Sequence, residues 1–139
     1  MVNSEAEEQF DGQSEDGQSE GGQSVLIVDD VSTVRSFLRQ TLSHLGVRNV
    51  REAASGGECV RLFKQEQADI VFLDIELPDF DGNEVLRQLH EVNPRVNVVM
   101  ISAHSTVDNV KESIENGAKG FIVKPFSPKK IAAVLKKFE

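Results

Sequence analysis

The sequence has one cysteine, Cys59, so no disulfide can form within the chain, and a reducing compartment such as the cytoplasm is expected. It also lacks any apolar run longer than a strand, which excludes a membrane-spanning helix, and its N-terminus has no apolar stretch of signal-peptide length. Basic charge is scarce as well. The formal net charge is -8, and the first 24 residues hold seven acids and no Lys or Arg, leaving 16 acids against 15 bases in residues 25 to 139. A chain whose remainder is nearly neutral has no basic face for a phosphate backbone, so direct nucleic-acid binding is excluded.

Two regions differ in composition. Residues 11 to 24 read DGQSEDGQSEGGQS, a decaying five-residue repeat with too little apolar surface to offset the entropy of ordering. Residues 1 to 23 are therefore expected to be a disordered acidic leader, and residues 24 to 139 a single domain. Cys59 reads as a small core residue at helical spacing from Phe63.

Within the domain the apolar period switches repeatedly between strand and helix. The runs SVLIV, VRNVREA, DIVFLD, VNVVMIS and GFIVK predict five strands. Between and after them lie five stripes at helical spacing. The first comprises Val34, Phe37, Leu38, Thr41, Leu42 and Leu45, with Ser32 and Thr33 as capping candidates and Gly46 as the stop. The others contain Cys59, Val60 and Phe63; Val85, Leu86, Leu89 and Val92; Val107, Val110 and Ile114; and Ile131, Val134, Leu135 and Phe138. Strict alternation predicts an α/β fold, a doubly wound parallel sheet of five strands in the flavodoxin-like order 2-1-3-4-5 with five helices.

In such a sheet the carboxyl ends of all strands share one edge. Asp29 and Asp30 then meet Asp74, Ser102 and Lys124 at that edge. An Asp at one strand end is often only a cap or a turn former, but five convergent polar residues exceed what capping requires. Clustered carboxylates without nearby Cys or His select a hard cation, and Mg2+ fits because it tolerates few carboxylates and leaves room for a phosphate oxygen. Asp74 ends the central strand and is the best placed nucleophile toward phosphorus, with Lys124 as a point charge and Ser102 as a hydroxyl donor.

The segments VDD (28 to 30), LDIELPDFDG (73 to 82), MISAHS (100 to 105) and GAKGFIVKPF (117 to 126) together resemble the receiver domain of bacterial response regulators. The resemblance covers essentially residues 24 to 138. It implies that Asp29, Asp30, Asp74 and the backbone carbonyl of Glu76 hold Mg2+, and that Asp74 accepts a phosphoryl group from a histidine kinase or phosphotransfer protein. It further implies that Ser102 and Lys124 sense the phosphoryl oxygens and that the Lys124-Pro125 peptide is cis. Ser102 and Phe121 would form the switch, moving the surface of helix four, strand five and helix five for an unidentified protein target. Relatives often carry Tyr where Phe121 stands, so any contact through that hydroxyl is missing. Glu76 and His104 flank the expected path of hydrolytic water and are expected to tune the phosphoryl lifetime.

Chemistry beyond self-phosphotransfer and autophosphatase activity is not expected of such a module. The alternative from another class is a Mg2+-dependent phosphohydrolase with an Asp nucleophile. Haloacid-dehalogenase-like enzymes of that kind use a second Asp two residues after the nucleophile, and Glu76 occupies this place, with no cap insertion. A further alternative is the receiver fragment of a longer transcriptional regulator; Met1 and the long leader favour a stand-alone receiver of chemotaxis or phosphorelay type. His44 and His90 have no carboxylate partners at metal-ligand spacing and are expected to be solvated or half-buried.

Overall fold

The apolar side chains of the first strand, Val25 to Val28, point by turns to the two faces of a sheet, and this divides the molecule into layers. The computed structural model describes residues 23–104 and 107–139; the expected leader, Gln23 apart, lies outside the described residues. The elements follow in the order β1 (Ser24–Val28), α1 (Ser32–His44), β2 (Asn49–Ala53), α2 (Gly56–Gln65), β3 (Ile70–Asp74), α3 (Gly82–Val92), β4 (Asn97–Ser102), α4 (Val107–Glu115), β5 (Gly120–Val123) and α5 (Pro128–Lys137). All pairings are parallel, and the sheet order is β2-β1-β3-β4-β5, the order expected from the sequence.

Val25 and Ile27 of β1 face one core with Leu38 and Leu42 of α1 and Ile131 and Leu135 of α5. Leu26 and Val28 face the other, with Cys59 and Phe63 of α2 and Val85, Leu86 and Leu89 of α3. Both faces are thus covered, which is why the central strands read as continuous apolar runs rather than alternating ones. Each fully buried Leu, Ile, Val or Phe contributes on the order of 1.5–3 kcal/mol through removal from water. Burial also pushes the Cys59 thiol up to about 12, so this cysteine is a packing residue and an inert thiol at neutral pH.

Three helices start on side-chain caps. Ser55 accepts the N–H of Glu58 at α2, Asp81 that of Asn83 at α3, and Ser127 that of Lys130 at α5, where Pro128 fills the first turn. α1 differs from expectation. Its N-cap is Val31, without a side-chain cap, because Ser32 and Thr33 already lie within the helix and Asp29 Oδ1 instead accepts the Val31 N–H at 2.8 Å. α1 and α4 are followed by Gly46 (φ +90°) and Gly117 (φ +101°), left-handed positions that suit glycine.

The helical stripes read from sequence are wider than the buried faces. Phe37 of α1 and Leu45 just past its end are exposed, as is Ile114 of α4, at 51%. On α4 the buried position is Ser113, next to Ile114, and its hydroxyl bonds Asn83 Oδ1 of α3 at 3.3 Å. The side chain of Val107, which opened the expected α4 stripe, lies outside the described residues. His44 is exposed and His90 half-buried.

Candidate functional site

The helical crossovers return every strand to the same direction, so the residues that follow the apolar runs gather on one rim. Asp29 comes directly after β1 and extends its ladder, its N–H bonded to Ala53 O at 3.1 Å. Asp74 is the last residue of β3 and pairs with Ile101 of β4, one position before Ser102. Lys124 follows β5, and its N–H bonds Ser102 O at 2.7 Å. Asp29, Asp74 and Ser102 are buried, whereas Asp30 is exposed. Carboxylate oxygens of Asp29, Asp30 and Asp74 lie within 4.8 Å of one another.

The charge balance of this cluster is uneven. Lys124 Nζ stands 2.7 Å from Asp29 Oδ2 and 3.1 Å from Asp74 Oδ2. One ammonium therefore answers three carboxylates. Asp74 Oδ1 accepts the Glu76 N–H at 3.0 Å. Asp29 Oδ2, fully buried, receives no hydrogen bond of proper geometry even though the ammonium is close. A buried anionic oxygen with spare lone pairs, amid an excess of negative charge and oxygen-only donors, fits a hard divalent cation.

The same imbalance shifts the titrating groups. Burial, reinforced by the charge of Asp29, pushes the Asp74 carboxyl up to about 6 against the opposing pull of the Glu76 N–H and Lys124. For Lys124, burial opposes the charged form, but the adjoining Asp29 and Asp74 outweigh it and hold the ammonium above its usual range.

The remaining residues singled out from sequence sit around this core. Ser102 Oγ accepts the His104 N–H at 2.9 Å, which leaves its own proton available for donation. Glu76 Oε2 and His104 Nδ1, both exposed, lie 2.8 Å apart and bridge the loops that leave β3 and β4. The Lys124-Pro125 peptide is cis. Phe121 pairs with Met100 across the β4–β5 ladder and is half-buried against the core cluster on the α2 and α3 side. Beside Lys124 opens a cleft of about 490 Å³ lined by Thr33, Val34, Phe37, Ala103, Pro125 and Phe126.

Sequence reasoning missed the supports. Gly82 packs where an added Cβ would stand 2.4 Å from the Asp74 carbonyl oxygen, so the turn after β3 closes only on glycine. Asp79 clamps the start of α2, its two carboxylate oxygens accepting the N–H groups of Gly56 and Gly57 at 2.9 Å each. Arg35 reaches from α1 to the Asp29 carbonyl. An Asp in a loop and an Arg on a helix read as solvated charges until the fold supplies their partners.

Comparison with known proteins agrees with this geometry. The family model described as the response regulator receiver domain matches residues 25–136. The chemotaxis protein CheY of Thermotoga maritima is 35% identical over 113 residues, 81% of this chain and 94% of that protein. Among solved structures, the CheY-like receiver domain protein of Methanospirillum hungatei JF-1 superposes with a TM-score of 0.79 at 29% identity, covering 84% of this chain and 92% of that one. The CheX-CheY-BeF3-Mg2+ complex of Borrelia burgdorferi gives a TM-score of 0.80 at 37% identity, covering 84% and 90%.

Proposed function

The chain belongs to the response regulator receiver domains, phosphorylation-activated signalling modules, and from that premise we propose that Asp74 is its phosphoacceptor. A phosphohydrolase is not favoured. The observation that carries the proposal is the burial of Asp74 against Lys124, with Asp29 and Asp30 beside it.

Asp29, Asp30, Asp74 and the Glu76 carbonyl would hold Mg2+, which when bound neutralises the charge of the transferring phosphoryl group. The Borrelia relative, in its complex, is accompanied by BeF3 and Mg2+. A carboxylate oxygen of Asp74 attacks phosphorus; the new P–O bond forms as the P–N bond of a phosphohistidine breaks, and the imidazole leaves with the electron pair. Lys124 stays charged at neutral pH and offers its ammonium to a phosphoryl oxygen. Ser102 donates its hydroxyl to another. In doing so Ser102 vacates space for Phe121, and the surface of α4, β5 and α5 repacks for a protein target. Glu76 and His104 stand where water approaches and set the phosphoryl lifetime. The donor is a histidine kinase or phosphotransfer protein in the cytoplasm, and the chemistry is confined to gaining and losing the chain's own phosphoryl group.

The test is incubation with Mg2+ and a small acyl phosphate, followed by intact-mass measurement. One phosphoryl group should be gained by the parent protein and none by Asp74→Asn, with both folded. Equal labelling of the two would remove Asp74 from this role.

A further inference from the structure

Both main-chain polar groups of Asp29 are held from outside its own strand. Its N–H bonds Ala53 O of β2 at 3.1 Å, and its C=O accepts Arg35 Nη1 of α1 at 2.7 Å. That carbonyl belongs to the peptide joining Asp29 to Asp30, so the guanidinium fixes the plane from which both carboxylates project. Arg35 is itself fixed. Its Nε bonds Glu52 Oε1 at 2.9 Å, while the other oxygen of Glu52 takes Arg39 Nε at 2.6 Å, and Arg39 also bonds Val50 O at 3.0 Å. Arg35 and Glu52 are half-buried, with side chains 18% and 29% exposed.

The charges in this arrangement matter as much as the bonds. A guanidinium next to an acidic cluster would ordinarily compete with a metal ion for it. Here Arg39 foremost, with Arg35, holds the Glu52 carboxyl below its ordinary range, so an ionised partner offsets the Arg35 charge, and the guanidinium meets the cluster at a carbonyl oxygen rather than at one of its carboxylates. The two cluster acids that precede α1 are thereby oriented without being neutralised.

We propose that Arg35, anchored by Glu52, is a positioning residue for the cation seat formed by Asp29, Asp30 and Asp74. This rests on the reading of that cluster as a Mg2+ site. The inference assigns Arg35 no contact with the ion or the phosphoryl group. Outer groups that orient metal ligands typically contribute about 10- to 100-fold in affinity.

The experiment is calorimetric titration of unphosphorylated protein with MgCl2 at constant ionic strength and pH 7.5, with thermal unfolding followed separately in EDTA. Arg35→Met keeps the apolar stem and removes the donors. It should weaken Mg2+ binding about tenfold. The sign is diagnostic, because deleting a positive charge near the site by simple Coulomb effects would tighten cation binding. The variant Arg35→Met/Glu52→Gln, which keeps the net charge and leaves only the solvent-exposed Arg39 without its carboxylate, should show the same weakening and serves if the single variant does not fold. Unchanged or tighter Mg2+ binding in a folded variant, with only a lower Tm in EDTA, would assign Arg35 to stability alone and overturn the proposal. Failure of the parent protein itself to bind Mg2+ would instead overturn the metal reading beneath it.

Discussion

The ammonium of Lys124 lies 2.7 Å from Oδ2 of Asp29, a fully buried carboxylate oxygen whose pairing among the described residues is with that charge. Replacing it by Lys124→Met leaves Asp29 and Asp74 facing each other without a cation. Removing one partner from a buried ion cluster costs on the order of 3 kcal/mol. Urea unfolding in EDTA at pH 7.5 should show that loss. Saturating Mg2+ should restore more stability to the variant than to the parent, because the ion then replaces the missing charge.

The Asp74 carboxyl, pushed up to about 6 mainly by burial, makes a second prediction about pH. Because its folded pKa exceeds the ordinary 3.8, the metal-free folded state binds the proton more tightly than the unfolded chain does. Its contribution to stability is complete below that ordinary value and is lost as pH rises through about 6. Asp74→Asn lacks this penalty. In EDTA the Tm difference between variant and parent should grow in favour of Asp74→Asn from pH 4 to pH 6.5, while Mg2+ affinity of the parent should fall as pH drops below about 6.

Asp79 is the third. Its carboxyl is held below the ordinary range chiefly by the Gly57 N–H, with that of Gly56, so the clamp on α2 requires the ionised form. Asp79→Ala should cost about 1 kcal/mol, the usual scale for losing an N-terminal cap. Hydrogen exchange of the first α2 amides should accelerate ahead of the rest of the sheet.

Gly82→Ala should cost more. The new Cβ would meet the Asp74 carbonyl oxygen at 2.4 Å and Ile75 Cα at 2.6 Å, both main-chain atoms that cannot rotate away. A destabilisation of at least about 2 kcal/mol is expected from such crowding. A denaturation midpoint equal to that of the parent would contradict it.

The fold was legible because each strand is an apolar run with polar punctuation, and the rim was legible because Asp29, Asp74, Ser102 and Lys124 stand where those runs stop. Depth was harder to read. Periodicity places Phe37 and Ile114 on plausible inner stripes, yet both are exposed, and the neighbouring positions Leu38 and Ser113 are the buried ones. Ser113, a polar residue outside the stripe read from sequence, is buried with its hydroxyl bonded to Asn83 of α3. Arg35 and Glu52 were invisible for a related reason, as 17 residues separate two charges that only the β1–β2 pairing brings together.

The rim residues come from four strand ends scattered between positions 29 and 124, with no two neighbouring strands joined by a short hairpin. The three acids need β1 and β3 side by side, and Ser102 and Lys124 join them only when β4 and β5 are paired as well. On the proposed reading, phosphorylation would therefore report a sheet closed from β1 to β5, a check on completed folding built into the chemistry.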